Sequence, residues 1–147
     1  MADFTLRPAR EADSKPIREL IYLVGINPFG LDWRRFIAAV NLKDEIIGCG
    51  QIKPHGRDVR ELASIAVRPE HRNQGIARAI IENLLADSPR PLYLMCRSGL
   101  GALYGKFGFR ALEYEQMPRY FQRMTRLAGL ADMLISSGDT LLVMKLE

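Results

Sequence analysis

Eleven consecutive residues, Val67 to Ala77 (V-R-P-E-H-R-N-Q-G-I-A), are the most informative about function in this 147-residue chain. They follow an alternating run ending A-S-I-A-V and lead into Ile76, Ala77, Ile80, Ile81, Leu84 and Leu85. That pattern predicts a strand, a short basic turn and an amphipathic helix. The turn then lies at a helix N-terminus, where the first N–H groups lack partners within the helix and the dipole is positive. Arg72 adds a full charge, and Gly75 lets a bulky anion approach the backbone. The chemistry suited to this combination is phosphate binding.

Two phosphate loops do not fit. The nucleotide P-loop needs Lys and then Ser or Thr after its last glycine, but Gly75 is followed by Ile76 and Ala77; the dinucleotide fingerprint needs several glycines, and here there is one. The stretch does resemble the R/Q-x-x-G-x-G/A signature of the GNAT superfamily of acyl-CoA-dependent N-acyltransferases, through Arg72, Gln74, Gly75 and Ala77. A second segment, L-Y-G-K-F-G-F (Leu103 to Phe109), resembles the family's Y-x-K-x-G-F, which closes one helix and opens the next strand. Upstream, E-L-A-S-I-A-V (Glu61 to Val67) resembles the strand before its pyrophosphate loop. The three stand in the family's order and separations over roughly the middle third of the chain.

The resemblance implies an α/β fold, with one GNAT-like domain over residues 1–147. Its central sheet would be mixed and mostly antiparallel, flanked by helices, with one parallel strand pair that splays apart and admits CoA. Those strands would be Val59 to Val67 and Leu92 to Cys96. It implies acetyl-CoA as cosubstrate, with pantetheine beside backbone groups of Ile65, Ala66 and Val67. Pyrophosphate would rest on amides of Asn73, Gln74, Gly75, Ile76 and Ala77, with Arg72. Ligand at the carboxyl ends of parallel strands is also what sheet geometry favours.

Acetyl transfer to an amine sets three demands: a neutral amine, a stabilised oxyanion and a proton for the departing thiolate. Glu61 is the candidate base. It is expected to share a strand face with Val59, Ala63 and Ile65, and an apolar neighbourhood raises a carboxyl pKa. The plainer reading makes it a rim glutamate paired with Arg60 or Arg57. Tyr104, aligned with the family's tyrosine, is the candidate acid, since a phenol of reference pKa about 10 stays protonated at neutral pH. Its plainer reading is a helix aromatic packed on the sheet. An amide near Val67 is the natural oxyanion donor.

The other chemistry-bearing residues carry less. Cys49 and Cys96 lie in apolar runs and are too few for a disulfide framework, so both read as small buried residues; the sharper alternative makes Cys96 a covalent acyl carrier. His55 is placed in a turn and His71 in the loop, and neither has acidic or cysteine partners at ligand spacing, so no metal is expected. His71 would touch phosphate or solvent. Trp33 in G-L-D-W-R-R-F reads as a core anchor. Where many family members have Asn and Ala, this chain has Arg97 and Leu100; a cation at Arg97 could reach a CoA phosphate.

These residues need elements to hold them. Phe4 to Arg7 predicts a strand. Asp13 or Ser14 caps a helix that tolerates Pro16 and buries Ile17, Leu20, Ile21 and Val24, with N-P-F-G as its breaker. A short helix near Asp32 to Phe36 precedes strands near Phe36 to Leu42, Glu45 to Lys53 and Val59 to Val67, with K-D-E and P-H-G-R-D as turns. The loop helix runs to about Ala86. After Pro89 to Pro91 come strand P-L-Y-L-M-C, helix Leu100 to Lys106 and strand Phe109 to Tyr114. A helix from Pro118 to about Ile135 and a strand D-T-L-L-V-M-K-L complete the order. At about 100° per residue, Arg119, Arg123 and Arg126 form one stripe of that last helix, opposite Tyr120, Phe121, Met124, Leu127, Ala128, Ala131 and Leu134. Such a stripe is usually solvated, and no nucleic-acid motif accompanies it. The segment Glu115 to Asp139 is longer than the family's usual hairpin, so its helix is expected over the acceptor groove.

Nearly half the residues, 48%, are hydrophobic, enough for one domain with its own core. No apolar run is long enough to span a bilayer and M-A-D-F-T-L-R lacks the apolar segment of a secretory signal, which points to the cytosol, or to an equivalent reducing space if a targeting peptide has been removed. The net charge of +4 is modest. The expected activity is direct acetyl transfer from acetyl-CoA to a primary amine on a small molecule or a protein, with no nucleic acid or membrane partner; a homodimer is compatible. The alternative from another class is an acyl-CoA-sensing module that binds a protein partner without turnover.

Overall fold

The computed structural model describes residues 3–132 and 140–147. In chain order the elements are β1 (Thr5–Pro8), α1 (Ser14–Val24), β2 (Phe36–Val40), β3 (Ile46–His55), β4 (Val59–Val67), α2 (Ile76–Asp87), β5 (Leu92–Arg97), α3 (Gly101–Gly105), β6 (Arg110–Ala111), α4 (Arg119–Asp132) and β7 (Leu141–Leu146). The strands form a mixed α/β sheet in the order β1-β2-β3-β4-β5-β7-β6. The β4–β5 pair is parallel, with Glu61 opposite Tyr93. The chain divides into two compact units, residues 1–53 with 62–88 and residues 54–61 with 89–147.

In the first unit, α1 buries Ile17, Leu20 and Ile21 against a cluster that includes Phe36, Ala38 and Cys49. Asp13 precedes α1 but gives it no side-chain cap. Its carboxylate instead accepts the Arg10 N–H (2.7 Å), closing a 3-10 turn over Glu11–Asp13, and a two-pronged pair of bonds from Arg7 at 2.6 and 3.1 Å. The helix stops at Gly25 (φ 75°), two residues before the N-P-F-G breaker, because the Gly25 N–H caps the carbonyls of Ile21 and Tyr22. β2 ends at Val40, short of the expected Leu42, because the Asn41 side chain accepts the N–H groups of Lys43 and Glu45 and turns the chain there. A 3-10 turn over Trp33–Arg35, capped by Asp32, replaces the short helix expected at Asp32 to Phe36.

β3 and α2 approach closely through two glycines. A Cβ on Gly48 would stand 2.9 Å from Ile76 Cγ2, and one on Gly50 would stand 2.6 Å from Ile65 Cδ1 and 2.7 Å from Ile80 Cγ2. Their absence lets α2 bury Ile76, Ile80, Ile81 and Leu84, fixing the position of its own N-terminus.

In the second unit β7 lies between β5 and β6 and is antiparallel to both. Tyr93, Leu112, Phe121 and Val143 form its core. β6 is only Arg110–Ala111, shorter than the expected strand to Tyr114, because the Gln116 side chain accepts the Glu113 N–H and starts a 3-10 turn. α4 buries Phe121 completely and exposes Arg119, Arg123 and Arg126, as its stripe predicts; Leu127, expected on the apolar side, is 60% exposed. The expected helix end at Ile135, Leu134 on its face and Asp139 at the start of the closing strand lie outside the described residues.

One further departure bears on the site. β3 continues through Pro54 and His55, so only Gly56, Arg57 and Asp58 turn the chain into β4. Pro54 is exposed, an arrangement in which its missing N–H costs a strand little.

Candidate functional site

The basic loop leaves β4 at Val67, makes a 3-10 turn over Pro69–His71 and enters α2 through Gly75. Asn73 (φ 63°) and Gly75 (φ 79°) are both left-handed. The first bond inside the helix runs from the Ala79 N–H to the Gly75 carbonyl, and among the described residues no side-chain cap is recorded on the amides of Ile76, Ala77 and Arg78. Arg72, Asn73, Gln74 and Gly75 are exposed, and Arg72 has no ion pair among the described residues. The loop therefore presents open amide donors, a helix dipole and one cation to solvent, a set able to hold an anion.

Upstream, Ser64 takes φ 60° inside β4. A left-handed residue breaks the two-residue alternation of a strand, so Ile65 does not continue the face of Glu61 as expected. Ile65 instead meets Gly50, while Ala66, 4% exposed, joins the cluster around α1. Val67 is half-buried. On β3, Gln51 is fully buried and donates from Nε2 to Ser64 Oγ (2.8 Å) and to the Gly30 carbonyl (3.2 Å).

The second unit holds both candidate proton-transfer groups. Glu61 is 3% exposed, and its Oε1 lies 2.7 Å from His55 Nε2. The alternative reading of Glu61 as a rim glutamate paired with Arg60 or Arg57 gives way to this pairing, since the longer β3 brings His55 back beside β4. The Tyr120 ring stacks on the imidazole at 3.7 Å and 18°, with Phe121 edge-on at 5.9 Å. The Tyr120 phenol is raised by its own burial and then by the nearby Glu61 charge.

Tyr104, on α3, is half-buried with its ring edge against Phe109. Burial, reinforced by the neighbouring Cys96, pushes its phenol up to about 12, so it is a protonated donor at neutral pH. Cys96 is buried beside Met144, its Sγ 4.0 Å from the thioether sulfur, and burial raises its thiol too. A thiol held protonated is a poor nucleophile, which speaks against the acyl-carrier reading. Cys49 is likewise pushed up to about 12 by burial. Arg97 ends β5 exposed, with no ion pair among the described residues. Trp33 is half-buried beneath the Arg34 guanidinium, 4.9 Å from the ring centroid.

His55 is the site component that the sequence pattern places elsewhere, in a turn, whereas Tyr120, at the start of its helix, is expected to lean toward the acceptor crevice. P-H-G-R-D contains two turn formers, so its composition predicts a turn over the whole run. The signal that would have found His55 is the alternation of β3 itself, which carries Cys49, Gln51, Lys53 and His55 on successive odd positions.

Among the described residues no group of three or more His, Cys, Asp or Glu is placed to hold a metal, and no helix is long and apolar enough to cross a membrane. No curated protein matches the chain in sequence. Solved structures do resemble it. N-acetylglutamate synthase from Neisseria gonorrhoeae, complexed with coenzyme A and N-acetyl-glutamate, superposes with TM-score 0.73 at 17% identity, over 100% of this chain and 36% of that one. This chain thus spans about a third of the synthase's length. Rv2747 from Mycobacterium tuberculosis, in complex with CoA, gives TM-score 0.71 at 23% identity over 97% of this chain and 98% of its own. An acetyltransferase of GNAT family from Staphylococcus aureus Mu50 gives 0.68 at 14% over 98% of each. At these identities the likeness is one of fold. The family model described as acetyltransferase (GNAT) domain matches residues 32–111, more than half of the sequence, and the chain belongs to that family.

Proposed function

We propose that residues 1–147 act as one cytosolic domain that transfers an acetyl group from acetyl-CoA to a primary amine by direct attack in a ternary complex. Arg72, the amides from Asn73 to Ala77 and a cation at Arg97 would hold the cofactor's phosphates, and the backbone of Ile65 to Val67 its pantetheine. Glu61 takes a proton from the amine and Tyr104 gives one to the departing thiolate. The observation that carries the enzymatic reading is the burial of Glu61, at 3% exposure with His55 as its one side-chain hydrogen-bond partner among the described residues. A carboxylate costs several kcal/mol to enclose, and proton abstraction explains why one is kept there. A module that only sensed acyl-CoA would have no use for it.

The exposed arginines of α4 favour an acidic acceptor or a protein. The test is thiol release from acetyl-CoA across a panel of amino acids, with glutamate first, then polyamines and peptide amines. Turnover with at least one amine, lost in Glu61→Gln at neutral pH and partly regained in alkali, is the expected result. Calorimetry with Arg72→Ala should show CoA binding weakened by about 1.5–3 kcal/mol, the scale of a charged hydrogen bond. Acetyl-CoA binding without turnover on any amine would establish the sensing module instead.

A further inference from the structure

We propose that His55 is the proton outlet of Glu61: it takes each abstracted proton from the carboxyl group and passes it to water. The inference rests on Glu61 being the base, and it adds a residue that no motif marks.

The side chain of Glu61 is 5% exposed and that of His55 is 16% exposed. The carboxyl group is thus the more enclosed member of a pair joined by one short bond, Oε1 to Nε2 at 2.7 Å. Acetylation of an ammonium removes two protons from nitrogen. One ends on the CoA thiol and the other is left over in every turnover. If Glu61 receives it, the enzyme is blocked until the carboxyl group is emptied. In the step proposed, the Glu61 O–H bond breaks as an N–H bond forms at Nε2 of the Nδ1–H tautomer of His55, the proton on Nδ1 departs to solvent, and tautomerisation of the resulting Nε2–H imidazole through water restores Nδ1–H before the next turnover. Only protons move, and the pair returns to carboxylate and neutral imidazole.

The surroundings suit that traffic. Tyr120 lies parallel to the imidazole at 3.7 Å and Phe121 meets it edge-on, which fixes the ring plane with Nε2 aimed at the carboxylate. The titratable groups against His55 are Glu61 from β4 and Tyr120 from α4. Arg57 and Asp58 in the turn, and Arg60 on β4, make no ion pair with His55 or Glu61 among the described residues. His55 acts through Glu61 and is a positioning residue for the reaction.

The experiment compares wild type with His55→Gln, His55→Ala and Glu61→Gln between about pH 6 and pH 10, using the most active amine of the panel. Glutamine can still donate to Glu61 but cannot carry a proton. His55→Gln should lose about 10-fold or more in kcat at neutral pH, keep its KM for acetyl-CoA and show an altered pH profile. Added imidazole should restore part of the rate of His55→Ala and none of that of Glu61→Gln. If Glu61→Gln is impaired while His55→Gln has the wild-type rate and profile, the outlet is overturned and the base stands. If Glu61→Gln has the wild-type rate, the base is overturned and the outlet with it. A loss in His55→Ala that imidazole does not touch, with His55→Gln active, would show that His55 only holds Glu61 in place and would also overturn the proposal.

Discussion

Replacing Gly50 with alanine measures how firmly the phosphate loop is tied to the sheet. The added methyl would stand 2.6 Å from Ile65 Cδ1, 2.7 Å from Ile80 Cγ2 and 3.2 Å from Leu84 Cδ1. Apolar carbons rest about 3.5–4 Å apart, so the first two must retreat by roughly 1 Å. The Ile65 and Leu84 contacts involve side-chain ends that can rotate away. Ile80 Cγ2 sits on a branched Cβ of α2, and that atom retreats mainly by moving the helix. Overpacking of this kind costs about 1–3 kcal/mol, offset by roughly 0.5–1 kcal/mol for replacing a strand glycine. The net loss should be about 0.5–2 kcal/mol, or a fall in Tm of roughly 2–6 °C for a chain of this size. Because Ile76 faces Gly48 on the same strand, a shifted α2 carries Gly75 and the amides of Ile76 and Ala77 with it. On the reading proposed above, CoA affinity should then fall by roughly tenfold, about 1.4 kcal/mol. Thermal denaturation and calorimetry on the same sample read both effects. A Tm within about 1 °C of wild type, with unchanged CoA affinity, would refute the argument that this contact sets the loop.

Two other outcomes follow from the proton-bearing groups. Tyr104→Phe should lower kcat by roughly 10²-fold with little change in CoA affinity; since the phenol is pushed up to about 12, the donor form is complete at neutral pH and is lost only as pH rises through that value. A fall in rate near pH 10 that Tyr104→Phe still shows, with kcat otherwise unchanged, would assign the acid elsewhere. Asp13→Asn removes a buried two-pronged bond from Arg7, and urea titration at pH 7 should show a loss of about 2–4 kcal/mol. Arg7, and after it the Arg10 N–H, hold the Asp13 carboxyl below the usual range. Its stabilisation is therefore present above the ordinary value of about 3.9 and fades as pH falls through the lower folded one, so the deficit of the variant should shrink in acid and a constant deficit would refute it.

What could be read in advance divides along physical lines. β4 was legible to the residue, Val59–Val67, because a period-two run stood between unambiguous turn formers. So was the start of α2, where a glycine and a basic turn precede a helical period. The left-handed Ser64 was not, since serine carries no mark of positive φ. The stop after Ala111 depends on the Gln116 side chain reaching back to Glu113, and a run of apolar and aromatic residues conceals it. His55 was hidden by its own neighbours: proline and glycine on either side read as punctuation, and the pairing with Glu61 appears only when two strands are folded against each other. Leu127 was assigned by angle alone, which cannot tell where a helix outruns the surface it covers.

The position of β7 has a consequence for the order in which the molecule can be made. β5 and β6 reach the ribosome's exit before β7, yet it is β7 that joins them. Until Leu141–Leu146 has emerged, the ladders that β5 and β6 each form with it stand open, the kind of edges on which nascent chains mispair. A stop codon anywhere between Ala111 and Leu141 would therefore not trim the margin of the sheet but remove a strand from its interior. Its product would be an open-edged chain for chaperones and proteases to sort, while a nick at the tip of an outer loop could leave both ladders closed.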